Sequence, residues 1–318
     1  MKRILKNVLK ALVIIIALLM VIPYFITTSF PSEIPSLPYE NSVFYNTEDN
    51  VTLHTQVYEP EGEPVGKILM IHGLGASTYS FSTNAPFLLE NGYYVVSVDL
   101  PAFGYSSKEQ GINHSQIENA KRLWELLDNH DIKLESNEPW SIVGHSMGGS
   151  ASLAMVNQNP ERIQSLILFS PAITQASSNF SWVFRSPIGQ WLKVFLRYNI
   201  IREDRIKSFL KSIYNGEPTQ QDITGYLTPL QISTTPQALL DFVVTSENVQ
   251  ITDLVPQDID IHLIWGENDN IVPPEQIKVI QDNYSIASLT ILKDGGHLVH
   301  EKDPLANQIM LDILRNTP

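Results

Sequence analysis

The sequence contains no cysteine among its 318 residues. This absence excludes a disulfide framework and excludes metal sites built on thiolate ligands. The histidines and carboxylates also lack the clustered spacing of metal ligands, and no glycine-rich loop has the form that holds a nucleotide phosphate. We therefore predict a protein that works without a metal or another cofactor.

Positive charge is scarce outside the N-terminus. The chain has 21 Lys and Arg residues against 34 Asp and Glu residues, a net charge of −13. Four of the basic residues lie within residues 1–26, which contain no acid, so the remainder has 17 basic and 34 acidic residues, a net charge of −17. Because nucleic-acid binding depends on neutralising phosphates with Lys and Arg, we predict no nucleic-acid partner. The sequence carries no signal for an oligomeric state.

Charged residues are missing altogether from residues 11–26, an apolar run interrupted by Pro23. Extended back to residue 4, the run covers residues 4–26, which is long enough to span a bilayer core while Lys6 and Lys10 reach the headgroups. A signal peptide has the same basic start and apolar middle, but no small-x-small cleavage site follows this run.

We expect residues 1–29 to form a membrane anchor, with secretion after signal cleavage and a buried soluble helix as the alternatives. The basic residues before the span predict a single-pass topology, with the N-terminus in the cytoplasm and the body of the chain outside. Residues 30–40 contain three prolines and predict an extended linker.

Short apolar runs alternate with helical patterns in the body of the chain. Strands are predicted at residues 42–45, 51–58, 67–71, 94–98, 140–143, 164–169, 261–265 and 288–292. Helices are predicted at residues 80–91, 115–130, 274–282 and 304–315, and directly after residue 146. This alternation is typical of an α/β protein whose mostly parallel sheet has helices on both faces and binds ligands at the carboxyl ends of its strands.

The alternation stops between residues 171 and 257. Helices are predicted there at residues 187–198, 204–214, 218–228 and 236–246, with recurring aromatic side chains. We interpret residues 171–257 as a helical cap over the strand ends, inserted into a core of residues 41–170 and 258–318. Its aromatic residues either pack among themselves or face the site and select an apolar substrate.

The sequence Gly144-His145-Ser146-Met147-Gly148 follows a predicted strand and precedes a predicted helix. A serine between two glycines at such a position is the pattern of a nucleophile elbow, a sharp turn that projects the hydroxyl alone. The simpler alternative is a turn of small residues that lets a helix pack on the sheet. The choice depends on whether the rest of the chain supplies a base and an acid.

A serine hydroxyl needs a base that takes its proton and a carboxylate that orients this base. His297 lies in a loop after the last predicted strand, and His300 is its nearest competitor. Asp269 follows the strand at residues 261–265, with Glu267 as the competing acid. We predict Ser146 as nucleophile, His297 as general base and acid, and Asp269 as the residue that orients His297.

The chain resembles the α/β-hydrolase superfamily over roughly residues 40–316. The motifs that carry this resemblance, in chain order, are His72-Gly73, Asp99-Leu100-Pro101-x-Phe103-Gly104-x-Ser106, Gly144-His145-Ser146-Met147-Gly148-Gly149, Trp265-Gly266-Glu267-x-Asp269-x-x-Val272-Pro273 and Gly296-His297-x-x-x-x-Glu301-x-x-Pro304. The order Ser, Asp, His is that of this superfamily. One departure is Ala102, where relatives usually have glycine.

The resemblance implies an eight-stranded sheet with a helical cap and an oxyanion hole formed by the backbone N–H groups of Leu74 and Met147. In related enzymes the acid sometimes follows the preceding strand, but residues 170–184 contain no Asp or Glu. The implied activity is that of a serine esterase or lipase. The membrane anchor beside an aromatic-rich cap indicates an apolar or lipid-like ester, for example a monoacylglycerol-like lipid. C–C bond hydrolase, thioesterase, haloperoxidase or perhydrolase chemistry on the same triad, and a non-catalytic binding protein, are the alternatives.

Overall fold

A computed structural model describes residues 2–128, 139–173, 181–246 and 259–317. Its eight strands form one sheet, and their bounds agree with the predicted ones to within two residues. They are β1 (Ser42–Asn46), β2 (Thr52–Tyr58), β3 (Lys67–Ile71), β4 (Tyr94–Val98), β5 (Trp140–His145), β6 (Ile163–Phe169), β7 (Asp260–Gly266) and β8 (Ile286–Leu292).

The strand order across the sheet is β1-β2-β4-β3-β5-β6-β7-β8. The pairs β1–β2 and β2–β4 are antiparallel. The remaining pairs, from β4–β3 across the sheet to β7–β8, are parallel. The register pairs Ile71 with Gly144 and His145 with Phe169, so the strands on either side of the predicted elbow end at the same edge of the sheet. The predicted α/β-hydrolase fold with a mostly parallel eight-stranded sheet is confirmed.

Both faces of the sheet are buried at its central strands. On β3, Leu69 and Ile71 belong to one hydrophobic cluster, whereas Ile68 and Met70 belong to a second cluster on the opposite face. All four side chains are fully buried. Because burying one such side chain contributes about 1.5–3 kcal/mol to the free energy of unfolding, the central strands add substantially to the stability of the scaffold that holds the strand ends.

Helices cover the two faces. Those of the core are α2 (Asn84–Glu90), α3 (Gln116–Leu127), α4 (Met147–Gln158), α10 (Ile277–Gln281), α11 (Val299–Lys302) and α12 (Pro304–Asn316). The helix predicted at residues 80–91 is divided into a 3-10 turn, Thr78–Phe81, and α2. α3 begins where the Ser115 side chain accepts a hydrogen bond from the Glu118 N–H group, as N-caps do. The end of the helix predicted at residues 115–130 lies partly outside the described residues.

A helical insertion separates β6 from β7. It contains α5 (Ser181–Phe184), α6 (Pro187–Phe195), a π-helical turn (Leu196–Ile200), α7 (Glu203–Tyr214), α8 (Gln220–Leu230) and α9 (Thr235–Thr245). Apolar residues of α7 and α8 form a cluster with Ala76, which follows β3, and Leu298, which follows β8. The insertion therefore packs over the carboxyl ends of these strands, while residues 174–180 and 247–258 of the predicted cap lie outside the described residues.

The N-terminal segment forms α1 (Lys2–Val21) and a 3-10 turn (Ile22–Phe25). Together they are long and apolar enough to cross a membrane, with a mean hydropathy of 2.6 over the best window. Within this described helix no residue of α1 is buried, which is contrary to the alternative of a helix buried in a soluble core.

The first residues of the predicted linker contact the helical insertion. Phe30 is buried, the guanidinium carbon of Arg197 lies 3.7 Å from the centre of its ring, and Ser32 forms a parallel bridge with Ile232. A proline count predicts extended backbone but says nothing about which surface that backbone contacts.

Candidate active site

Ser146 lies at the turn between β5 and α4, with φ 50° and ψ −117°. A non-glycine residue in this region is strained, and such strain persists where the surrounding structure fixes the backbone. The Ser146 N–H group donates to the Phe169 carbonyl at 3.0 Å, which ties the turn to β6. A Cβ atom on Gly148 would overlap the Ile71 carbonyl oxygen, so glycine is what lets α4 approach β3 this closely.

His297 and Asp269 form a buried pair. His297 Nδ1 lies 2.8 Å from Asp269 Oδ2, while Asp269 Oδ1 accepts hydrogen bonds from the Ile271 and Val272 N–H groups, both at 2.9 Å. Burial by itself raises the pKa of Asp269, but the hydrogen bond and charge of His297 and the backbone N–H groups outweigh it, and the net pKa is lowered. An ionised Asp269 therefore accepts the Nδ1 proton and leaves Nε2 of a neutral His297 as an acceptor.

Ser146 and His297 line one cavity. Among the described residues, no hydrogen bond joins Ser146 Oγ to His297, and a nucleophile–base hydrogen bond of this kind often tightens only in the complex with substrate. The shared cavity still brings Ser146 together with His297, which lies more than a hundred positions further along the sequence and is itself paired with Asp269.

The Leu74 and Met147 N–H groups lie at the same cavity. Neither donates a hydrogen bond to any protein atom in the described ranges. Two unpaired N–H groups beside a serine have the chemical character of an oxyanion hole. The loop that carries Leu74 is held by His72, whose Nε2 accepts from the Leu100 N–H group at 3.0 Å and whose Nδ1 lies 2.7 Å from the Gly73 carbonyl oxygen.

The structure places the competing candidates elsewhere. Glu267 accepts a hydrogen bond from the Asp294 N–H group, so it does not face His297. His300 is fully buried, its Nε2 lies 3.0 Å from Ser80 Oγ, and burial followed by the charge of His297 lowers its pKa to about 3. The histidine beside Ser146, His145, has its Nε2 3.1 Å from the His297 carbonyl, and burial holds its pKa well below the usual value.

Asp99, also at a strand end, is a structural residue. Its carboxylate lies 2.7 Å from His54 Nδ1 and accepts hydrogen bonds from the Thr78 and Tyr105 N–H groups. These contacts tie β2 and two loops to the end of β4. His54 also reaches β1, because its Nε2 lies 2.8 Å from Ser42 Oγ.

The cavity has a volume of about 380 Å³, within the range of small-molecule sites. The helical insertion contributes Phe209, Ile213 and Tyr226 to its wall, and the core contributes Ile271 and Gln276, which the sequence analysis did not single out. Phe209 and Tyr226 belong to the aromatic set noted in the sequence, whereas Phe242 packs against Phe103 in the core. A count of aromatic residues does not separate the two groups, because the difference depends on where each helix lies.

A buried carboxyl group, Glu301, joins the insertion to the core near this cavity. It accepts hydrogen bonds from the Tyr214 hydroxyl at 2.7 Å, from the Tyr226 hydroxyl, and from Ser80 at 2.5 Å. Burial raises the pKa of Glu301 to about 7, despite the opposing effect of these hydroxyl groups and of Lys302. Glu301 therefore takes up a proton in the folded state at a pH at which the unfolded chain has already released it.

We expect Glu301→Gln to remove part of the pH dependence of stability. A folded-state pKa above the unfolded value means that stabilisation by the protonated form is complete below about pH 4.5 and is lost as the pH rises through about 7. The shift corresponds to roughly 3 kcal/mol at about 1.4 kcal/mol for each pKa unit. Thermal unfolding of the full chain in detergent between pH 5 and 8 measures the effect. If the melting temperature changes equally with pH in the variant and the wild type, Glu301 is not a source of the pH dependence.

A family model described as the alpha/beta hydrolase fold matches residues 67–304 of this chain. The match covers well over half of the sequence and includes every strand of the parallel part of the sheet. The chain belongs to the α/β-hydrolase family and is a hydrolase of that fold.

Individual relatives agree with this class. The uncharacterized hydrolase YugF of Bacillus subtilis is 28% identical over 276 residues, covering 85% of this chain and 96% of that protein. A 2-hydroxy-6-oxononadienedioate/2-hydroxy-6-oxononatrienedioate hydrolase of Escherichia coli is 24% identical over 297 residues, covering 88% and 98%. The crystal structure of a membrane phospholipase A, described as a bacterial virulence factor, is similar with a TM-score of 0.65 and 19% identity, covering 99% and 100%. At this identity the structural likeness shows a shared fold.

Proposed function

We propose that this chain is a serine hydrolase that cleaves a carboxylic ester with an apolar or lipid-like acyl group through an acyl-Ser146 intermediate. The observation that carries the proposal is one cavity that combines Ser146 with the Asp269–His297 pair and the unpaired N–H groups of Leu74 and Met147. Within the described chain there is no group of three or more His, Asp or Glu side chains that would hold a metal ion. The proposed chemistry needs only the chain's own residues.

In the proposed mechanism, Nε2 of His297 takes the proton of Ser146 Oγ as this oxygen attacks the ester carbonyl. The oxyanion is stabilised by the Leu74 and Met147 N–H groups, each worth about 3–4 kcal/mol in such sites. His297 then gives its proton to the leaving alcohol, and in a second half-reaction it activates the water that releases the acid. Asp269 keeps the imidazole in the required tautomer and stabilises its charged form.

The lining of the cavity supports an apolar acyl group. Its walls include Leu74, Phe209, Ile213, Ile271 and Leu298, and no Lys or Arg occurs among the lining residues that are described. The Escherichia coli relative is named for a substrate with two carboxylate groups, and a dianion entering a closed site requires a cationic partner or equivalent donors. This difference favours an ester with an uncharged chain over a dioate.

We propose that residues 171–257 act as a cap over the core of residues 41–170 and 258–318, and that residues 4–26 anchor the protein in a membrane. The anchor would place the N-terminus in the cytoplasm and the cavity on the outer side, next to lipid-like substrates. The apolar helix Lys2–Phe25 supports the proposal of a membrane anchor. Secretion after signal cleavage is the alternative, and the mass of the mature protein in membrane and medium fractions decides between them.

Trapping the acyl-enzyme tests the proposed reaction. The full chain in detergent is mixed with a long-chain nitrophenyl ester, quenched in acid and digested, and the peptide that contains Ser146 is analysed by mass spectrometry. We expect an acyl adduct on Ser146. Turnover of the ester without an adduct at any time would contradict the acyl-Ser146 intermediate and favour direct attack by water, and binding without turnover would favour a non-catalytic protein.

We expect Phe209→Ala to alter chain-length preference. Phe209 belongs to the helical insertion, is half-exposed and contacts the cavity, so its removal withdraws apolar surface from a long acyl chain but not from acetate. The loss of one aromatic contact corresponds to roughly 1–3 kcal/mol, which predicts a rise in KM of about tenfold or more for long-chain esters. Steady-state kinetics on nitrophenyl acetate and decanoate measure it, with Leu305→Ala, an exposed leucine on α12, as the control. An unchanged preference would remove Phe209 from the acyl site.

A further inference from the structure

An exposed apolar surface lies on the first part of the helical insertion, within residues 181–202. We call it the cap surface. It consists of large side chains that are between 39% and 66% exposed: Trp182, Ile188, Phe195, Tyr198 and Ile200. Soluble surfaces rarely gather so many exposed large apolar residues in one short segment, and such a patch marks an interaction site.

The charge of this segment is opposite to that of the body. Residues 181–202 contain four basic residues, Arg185, Lys193, Arg197 and Arg202, and no acidic residue. The chain beyond residue 26 has 17 basic and 34 acidic residues, a net charge of −17. Basic side chains among exposed aromatic and aliphatic ones are typical of a helix that lies on an anionic membrane.

The cap surface is continuous with the end of α1. The Trp191 Nε1–H group donates to the Leu19 carbonyl at 2.7 Å, and the Tyr198 hydroxyl donates to the Thr27 carbonyl at 2.9 Å. Arg197 stacks on Phe30, just after the apolar helix. These contacts hold α6 beside the last turn of the helix that is long enough to span a bilayer. Trp and Tyr side chains at that level are typical of the membrane–water interface.

We propose that the cap surface docks into the headgroup layer of the bilayer that α1 spans, with anionic glycerophospholipid as its partner. The inference rests on the proposed anchoring by residues 4–26. Docking would place α7 next to the lipid, because α7 follows the cap surface directly and its Phe209 is both half-exposed and part of the cavity wall. The cavity would then take its ester from the membrane surface.

The absence of cysteine makes a depth measurement simple, because one introduced cysteine carries the only label. The full-length variants Ile188→Cys and Phe195→Cys are labelled with NBD and reconstituted into nanodiscs of phosphatidylglycerol whose acyl chains carry bromine, a short-range quencher. Leu305→Cys, an exposed residue on α12, is the matched control, and Ile16→Cys in α1 reports on the anchor. We expect severalfold stronger quenching at residues 188 and 195 than at residue 305.

The outcomes separate the docking from the anchor. Strong quenching at residue 16, with residues 188 and 195 equal to 305, would overturn the docking and leave the anchor intact. Weak quenching at residue 16 as well would overturn the anchor. A blue-shifted NBD signal at residues 188 and 195 that bromine does not quench, and that grows with protein concentration, would assign the cap surface to a second copy of the chain instead.

Replacing phosphatidylglycerol with phosphatidylcholine is expected to weaken the quenching at residues 188 and 195. Unchanged quenching would overturn the preference for anionic lipid.

Discussion

Replacing Ser146 with alanine is expected to lower kcat for a nitrophenyl ester by about 10⁴–10⁶-fold, the loss seen when the nucleophile of a serine triad is removed. Without the hydroxyl group no acyl-enzyme forms, and only the unpaired N–H groups and the cavity remain to assist attack by water. A serine-directed fluorophosphonate is expected to label the wild type and not this variant. The loss of labelling identifies the nucleophile independently of the substrate.

Ser141→Ala is the matched control for Ser146→Ala. Ser141 lies on the same strand, β5, is also buried, and is hydrogen-bonded to Ser165 away from the cavity. This variant is expected to keep both labelling and turnover. Asp269→Asn is expected to reduce kcat by about 10⁴-fold while slow labelling persists, because the imidazole loses its orienting carboxylate but the nucleophile stays in place. Labelling of Ser146→Ala at the wild-type level would show that another residue is the nucleophile.

Gly148→Ala is expected to destabilise the fold by more than about 3 kcal/mol, the upper end of overpacking effects. The added Cβ atom would overlap the backbone carbonyls of Ile71 and His72, which do not move aside as a flexible side chain does. α4 must therefore shift away from β3, and the Met147 N–H group at its start shifts with it. Chemical denaturation in detergent measures the loss of stability, and ester turnover measures the effect on the cavity.

Gly216→Ala is the matched control for the glycine substitution. A Cβ atom on Gly216 meets no atom of the described structure within 4 Å, and the residue has no positive φ. The same chemical change is expected to leave the denaturation midpoint within the range of a neutral surface substitution, about 0.5 kcal/mol. If both variants unfold at the wild-type midpoint, α4 tolerates a wider separation from β3 than the packing indicates.

Ala102 illustrates a departure from the family pattern that the fold accommodates. Its φ is 76°, in a region where glycine is favoured, and it is completely buried next to the loop held by Asp99. The resemblance identified the position as unusual, and the structure shows why relatives have glycine there. The Ala102 N–H group donates to the Ser107 carbonyl at 2.8 Å and the Tyr105 N–H group donates to Asp99 at 2.8 Å, so hydrogen bonds hold the turn that contains Ala102.

The sequence alone determined the order of elements, the mostly parallel sheet and the family. These features depend on local patterns: apolar runs of strand length, helical periodicity, and glycines at a turn before a helix. The bounds of the central strands agree well because these strands are buried on both faces and are therefore mostly apolar. The uncharged apolar run of residues 11–26, interrupted by Pro23, was equally clear from the sequence.

The tertiary structure decided what depends on contacts between distant parts of the chain. It brought Asp269 to 2.8 Å from His297, left the Leu74 and Met147 N–H groups unpaired among the described residues, and buried Glu301 under two tyrosines of the insertion. It also divided the aromatic residues of the insertion between cavity, core and cap surface. A residue's type and its local pattern do not specify these partners, because the packing of whole helices and strands determines which groups meet.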